Sequence, residues 1–289
     1  MLVQALAAAS FSDVQDAAIS LALSEAVYQQ LDEGGIARAT AAIPALLKQY
    51  PATLHLEPLR IRWEHSRIGY QVLVAEGGGA LYIAFMGTKR RRDLLTNANA
   101  VQAPLWPTAG AGAAEDAPAA HRGFLWRARS VNGRRYLQEA QRRGLRLVFC
   151  GHSLGGAVAQ LCALDLLQAA QGSGAPPPRV SSVGFATPAV GNAALAERVA
   201  ARGWGGRFVT YLLPEDAIGA FFNRSWPAGP AAHGRAAPSA KSGQRGLLMR
   251  WLWNRECMRP CWQSPWSSTR RCWHQRCSLG AQGLQASAP

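Results

Sequence analysis

Arg146-Leu-Val-Phe-Cys150-Gly-His-Ser153-Leu-Gly-Gly156 sets a short apolar run against a serine flanked by glycines. Leu147 to Cys150 reads as a buried strand, and Gly151-His-Ser-Leu-Gly155 fits the pattern G-x-S-x-G. An Ala/Leu-rich stretch, Ala157 to Ala170, follows with helical character. A serine between such a strand and helix stands on a sharp turn that lifts its hydroxyl clear of the sheet. Gly151 and Gly155 suit that turn because a Cβ at either would crowd the bend. The Leu154 amide then opens a helix, where partial positive charge faces a developing oxyanion. A Gly-Ser turn that merely caps a helix is the plainer reading. The strand before it and the helix after it favour a nucleophile.

The 289 residues suit one α/β domain with extensions or two small domains, and 48% hydrophobic content is ample for a core. His152, Ser153 and Asp165 interrupt the apolar stretch around the serine, so no run of about 20 apolar residues suggests a membrane helix. Met1 to Ser10 is apolar but lacks a basic start, and the first 30 residues hold no Arg or Lys. Neither a signal peptide nor an organelle-targeting segment is therefore expected, and an intracellular setting is slightly favoured. The net charge of +14 is uneven: from Arg224 onward ten Lys/Arg face one acid, Glu256.

Working outward from the serine, strands and helices alternate. Val180 to Phe185 and Phe208 to Leu213 read as strands separated by a helix near Ala193–Ala201. Upstream, residues 71–75 and 80–85 flank a Gly triplet and suggest a hairpin. The spacing predicts helices over residues 12–31, over 41–47 with Pro44 in the first turn, and over 127–143. Residues 89–120 read as a long loop, and 171–178 as a Gly/Pro linker. The alternation implies an α/β fold with a mostly parallel central sheet flanked by helices. Residues 1–222 would form that domain. Residues 223–289, with six of the ten Trp and four of the six Cys, read as an irregular basic tail, disordered or drawn from a non-native reading frame.

A serine nucleophile needs a histidine base and a carboxylate that orients it. The acids after Ser153 are Asp165, Glu197, Glu215, Asp216 and Glu256. Asp216 follows a strand at its C-terminal end, where parallel sheets place functional groups, and is the preferred acid; Glu215 is the substitute. A loop carboxylate that caps a turn is the plainer reading.

Five blocks carry a family resemblance: Ala84-Phe-Met-Gly-Thr88, His121-Arg-Gly-Phe124, Gly151-His-Ser-Leu-Gly-Gly156, Gly184-Phe-Ala-Thr-Pro188 with Val190-Gly-Asn192, and Pro214-Glu-Asp216. In order and spacing they resemble the class 3 (fungal-type) lipases over roughly residues 15–220. The resemblance implies an α/β-hydrolase fold acting on acyl esters without a cofactor. It makes Ser153 the nucleophile and Asp216 the triad acid, and it gives Thr88 an oxyanion role beside the Leu154 amide. Met86 stands where the family has Arg, so the ion pair of that loop is not expected. Residues 89–108 would correspond to a lid, and Lys89-Arg-Arg-Arg92 could attract an anionic membrane surface; a solvated charged loop is the commoner explanation.

Only His233 and His274 follow Asp216. His274, 58 positions after the acid, fits the family spacing better than His233, 17 after it. Neither has the family's polar-aromatic surroundings, and a third possibility is that neither serves. Three readings follow. The favoured one is a lipase-type serine ester hydrolase acting on acylglycerols or related lipid esters. The second is a catalytically inactive hydrolase-fold protein that binds lipid or a partner. The third is a nucleic-acid or anionic-membrane binder acting through the basic tail. Cys257, Cys261, Cys272 and Cys277 lack regular zinc spacing, so no metal is expected. Without a fold to array the Arg/Trp mixture of the tail, no nucleic acid is expected either. His121 reads as a packing residue, and His152 as pointing away from the serine. Cys150 and Cys162 read as buried small apolar residues.

Overall fold

A six-stranded sheet carries the chain, in the order β1-β2-β3-β6-β7-β8. It belongs to a computed structural model that describes residues 11–31, 34–87, 101–106, 117–171 and 177–211, without side chains for 11–13. In chain order the elements are α1 (Phe11–Gln29), α2 (Gly35–Leu47), β1 (Arg60–His65), β2 (Gln71–Gly77), β3 (Ala80–Phe85), β4 (Gln102–Pro104), β5 (Ala119–His121) and α3 (Arg122–Arg129). They continue with α4 (Gly133–Arg142), β6 (Arg146–His152), α5 (Leu154–Gln171), β7 (Val180–Phe185), α6 (Ala193–Ala201) and β8 (Phe208–Tyr211). β1, β2 and β3 pair antiparallel, whereas β3, β6, β7 and β8 are mutually parallel. The expected hairpin is therefore β2–β3, and the expected parallel sheet is its central and far part.

Burial on both faces explains why β3 and β6 read as unbroken apolar runs. Leu81, Ile83, Phe85, Leu147 and Phe149 point into one core with α3, α4 and α5 residues such as Phe124, Tyr136 and Leu161. Ala80, Tyr82, Ala84, Val148 and Cys150 point into the other, beneath Ile19, Leu23 and Val27 of α1 and Ile43 of α2. The middle of α1 is buried nearly all round, because it lies between the sheet and α2. At the far end of the sheet Asp16 of α1 pairs with Arg146 at the start of β6 and accepts a 2.6 Å bond from the Tyr82 hydroxyl.

Several expectations are corrected. Arg60–His65 forms a strand that the sequence reading left out. α2 begins at Gly35 instead of residue 41, so Pro44 falls in its last turns. The helix expected over 127–143 is two helices, because the Asn132 side chain takes the Arg135 amide (3.2 Å) and starts α4 afresh. Within the expected loop 89–120, β4 and β5 pair over three residues each. Asn192 caps α6 through the Leu195 amide and also bonds the backbone of Ala117 and Ala119, tying β5 to that helix. No described helix is long and apolar enough to cross a membrane. The proposed tail, 223–289, lies outside the described residues.

Candidate active site

The carboxyl ends of β3, β6, β7 and β8 meet at one edge of the sheet, the edge where parallel sheets place ligands. Ser153 stands there, between the last residue of β6 and the first of α5. Its φ is 54°, in the left-handed region that a non-glycine residue enters only when its surroundings hold it. Three bonds hold it. The Ser153 amide donates to the Phe185 carbonyl (2.8 Å), and its own carbonyl accepts from Gly156 (3.0 Å) and Ala157 (3.2 Å). The side chain is only 3% exposed, and its Oγ has no hydrogen-bond partner among the described residues.

The two glycines act as their spacing suggests. A Cβ on Gly151 would stand 2.6 Å from the Gly155 carbonyl oxygen and 2.8 Å from the Gly156 nitrogen. A Cβ on Gly155 would run into the Phe85 carbonyl. Backbone packs on backbone here, so α5 starts tight against β3 and β6. Leu154 is the first residue of α5, and its N–H belongs to the helix-end donors that have no intrahelical acceptor.

The segment after β3 reaches the same point. A Cβ placed on Gly87 would lie 3.4 Å from the Leu154 nitrogen and 2.7 Å from the His152 carbonyl oxygen. The residue before Thr88 therefore sits against the Leu154 amide. Thr88 itself lies outside the described residues, as do Asp216, His233, His274 and most of the expected lid. β8 ends at Tyr211, five positions short of Asp216, beside Phe185 of β7.

Tyr28, which sequence reasoning passed over, ties this edge together from α1. Its hydroxyl accepts the Gly87 amide at 3.0 Å and lies 3.2 Å from His152 Nδ1 and 3.4 Å from the His152 carbonyl oxygen. Burial pushes the Tyr28 hydroxyl up to about 12, against the opposing pull of the Gly87 amide and the Arg127 charge. It therefore keeps its proton at neutral pH and donates to one of the two His152 acceptors. The His152 ring is thereby engaged with Tyr28, edge-on at 5.8 Å, and not with Ser153. No sequence signal marks Tyr28, whose partners lie 59 and 124 positions away. Ala186, φ 48°, is a second strained residue on this edge; its amide donates to the Tyr211 carbonyl at 2.8 Å.

The remaining singled-out residues have structural surroundings. His121 is buried, accepts the Gly123 amide on Nδ1 (3.2 Å) and stacks on Phe124 with centroids 4.1 Å apart. Met86, which departs from the Arg of the resembled family, receives the Gln30 amide on Sδ at 3.6 Å. Cys150 and Cys162 are free and buried, and burial drives both thiols up, Cys150 to about 12. No group of His, Cys, Asp and Glu able to hold a metal occurs among the described residues.

Comparisons with known proteins bear on the fold. Residues 82–222 match the family model described as Lipase (class 3). Over 69 residues the chain is 46% identical to the secreted mono- and diacylglycerol lipase A of Penicillium cyclopium, a match covering 24% of this chain and 21% of that protein. Among solved structures, a deletion mutant of the Rhizomucor miehei lipase propeptide complex superposes with a TM-score of 0.54 at 24% identity, covering 73% of this chain and 62% of that one. The lipase of Rhizopus microsporus var. chinensis superposes with a TM-score of 0.52 at 19% identity, covering 73% and 69%. At such identities the likeness concerns the fold, a mostly parallel sheet flanked by helices. The five sequence blocks and the strained serine turn all fall within residues 82–222, the stretch that matches the Lipase (class 3) model, and the chain has the α/β-hydrolase fold.

Proposed function

We propose that the protein is a serine ester hydrolase of lipase type, acting on acylglycerols or related lipid carboxyl esters through an acyl-enzyme on Ser153. One observation carries the reading: Ser153 is held at positive φ with Gly87 packed against the Leu154 amide. That arrangement supplies a raised nucleophile and a backbone donor at a helix start in one place. In the reaction, Ser153 Oγ attacks the ester carbonyl carbon and gives its proton to a histidine base. The carbonyl oxygen becomes an oxyanion, met by the Leu154 N–H and by Thr88. Collapse breaks the bond to the alcohol, which leaves with the proton from the histidine. Water, deprotonated by the same histidine, then attacks the acyl-enzyme and releases the acid. Asp216 orients the histidine, His274 or in its place His233. The domain that does this spans residues 1–222, needs no cofactor and does not bind nucleic acid.

A second reading has one observation in its favour. Among the described histidines none bonds Ser153, and His152, its neighbour in sequence, is engaged with Tyr28. A hydrolase fold without a working base would bind lipid or a partner without turnover. Labelling by a fluorophosphonate, which reacts efficiently only with an activated serine, separates the two. Labelling that Ser153→Ala abolishes supports the hydrolase, and His233 and His274 variants then identify the base. A folded protein that takes no label supports the inactive binder.

A further inference from the structure

We propose that the outer stripe of α3, formed by Arg122, Trp126 and Arg129, is the surface on which the protein seats itself on an anionic lipid bilayer. The proposal deepens the lipase reading, on which it rests for its purpose, by naming the face that meets the lipid. α3 runs Arg122-Gly-Phe-Leu-Trp126-Arg-Ala-Arg129, and its inward residues Phe124, Leu125 and Ala128 are buried in the core. Residues 122, 126 and 129 fall at i, i+4 and i+7, which is one face of a helix, and all three are exposed. Trp126 is 56% exposed and is the only exposed aromatic among the described residues. A bare indole on a folded surface marks a place of contact more often than a leucine does.

The chemistry around that indole selects the occupant. Neither Arg122 nor Arg129 forms an ion pair with a described acid, and Arg129 spends its donors on the carbonyls of Pro104 (3.5 Å) and Leu105 (3.1 Å). Arg127, one position along, lies over the Tyr70 ring at 4.1 Å and donates to its hydroxyl. The charge of all three therefore goes unneutralised by described acids. Among the described residues, the only other exposed large apolar one tied to this stripe is Val101, whose carbonyl accepts the Arg122 amide at 2.9 Å. The two described apolar residues, set among arginines, fall short of the apolar centre of a stable protein interface, which buries about 800 Å² per partner. They suit a lipid surface: an indole settles at the boundary between headgroups and acyl chains, and arginines beside it meet phosphates. The net charge of +14 draws the chain toward such a surface from a distance.

The test is co-sedimentation of the full-length chain, carrying Ser153→Ala so that no turnover alters the lipid, with phosphatidylcholine vesicles with and without phosphatidylglycerol. The unsubstituted stripe should bind the anionic vesicles in a salt-sensitive manner. Arg122→Gln should weaken partition about fivefold, and Trp126→Gln about tenfold, while Trp126→Phe keeps most of it. All three residues are exposed, so thermal melting should stay unchanged. Binding that survives both Arg122→Gln and Trp126→Gln would overturn the proposal and assign the contact to another basic segment. Absence of binding to anionic vesicles would overturn it as well. So would a dimer in sedimentation velocity that Trp126→Gln dissolves, which would make the stripe a contact between two copies. None of these outcomes depends on Ser153, so the lipase reading stands or falls separately by its labelling experiment.

Discussion

The hydroxyl of Tyr28 on α1 lies 3.2 Å from Nδ1 of His152, the residue before the candidate nucleophile, and the same oxygen takes the Gly87 amide at 3.0 Å. One neutral hydroxyl thus holds the serine turn and the segment leading to Thr88 in fixed register. Tyr28→Phe keeps the ring and removes the hydroxyl, leaving the buried Gly87 N–H without that acceptor. The expected cost is about 1–3 kcal/mol of stability. Because small displacements of reacting groups carry large rate penalties, kcat on a water-soluble ester should fall about tenfold or more with KM little changed. Steady-state kinetics and a urea melt of the same preparation check both. A stability loss with unaltered kcat would make Tyr28 a packing residue only.

Of the glycines at this edge, Gly155 is the one whose added Cβ would meet backbone most closely, at the Phe85 carbonyl. Gly155→Ala forces α5 away from β3, because no flexible side chain is there to yield. The expected loss is about 3 kcal/mol or more, with little soluble protein. Gly206→Ala is the control: nothing lies within 4 Å of its added Cβ, and its effect should stay within about 0.5 kcal/mol. Urea denaturation of both variants measures the difference.

The Asp16–Arg146 pair sits at the opposite end of β6 from Ser153, roughly 20 Å away at the rise of a strand. Arg146→Met would leave the Asp16 carboxylate, 7% exposed, without its cation. Asp16→Asn leaves the Tyr82 hydroxyl an oxygen to donate to, and leaves the more exposed Arg146 to water. Arg146→Met should therefore destabilise more, by about 3 kcal/mol, than Asp16→Asn. Neither should change kcat of the folded fraction. Equal losses in the two variants would place the energy in packing and not in the unpaired charge.

These relationships differ in how far the sequence announces them. β3 and β6 are legible because both faces are buried, so every position of Leu81–Phe85 and Leu147–Cys150 is apolar. The serine turn is legible because glycine is needed on both sides of it. β1 is hidden because it is a half-buried edge: Arg60, Arg62 and Glu64 alternate with Ile61 and Trp63, and the charges mask the period. The split between α3 and α4 is hidden because one Asn side chain decides it, inside a stretch that keeps helical character throughout. Tyr28 is hidden for a deeper reason. A tyrosine in an apolar helix looks like core, and only the fold brings it to residues 59 and 124 positions on.

Glu64 on the edge strand offers a test through pH. Burial raises its carboxyl, but the bonds from Arg62 and Tyr136 and the charge of Arg135 outweigh that, so the net shift is downward from its ordinary 4.5. The contacts are close: Arg62 Nε at 2.7 Å, Tyr136 Oη at 2.8 Å and Arg135 Nη1 at 3.0 Å. A carboxylate that releases its proton more readily when folded stabilises the fold at pH above its unfolded value of 4.5, and that contribution drains away as pH falls through the lower folded value. Glu64→Gln should therefore be less stable than the natural chain at pH 7, by on the order of 1 kcal/mol for so exposed a network. The two should converge as the pH is taken below 4.5, because the protonated carboxyl then resembles the amide. Urea midpoints across that range, for both proteins in one buffer of constant ionic strength, give the comparison. A gap that stays constant with pH would mean that Glu64 acts through hydrogen-bond geometry alone and that its charge contributes nothing to the fold.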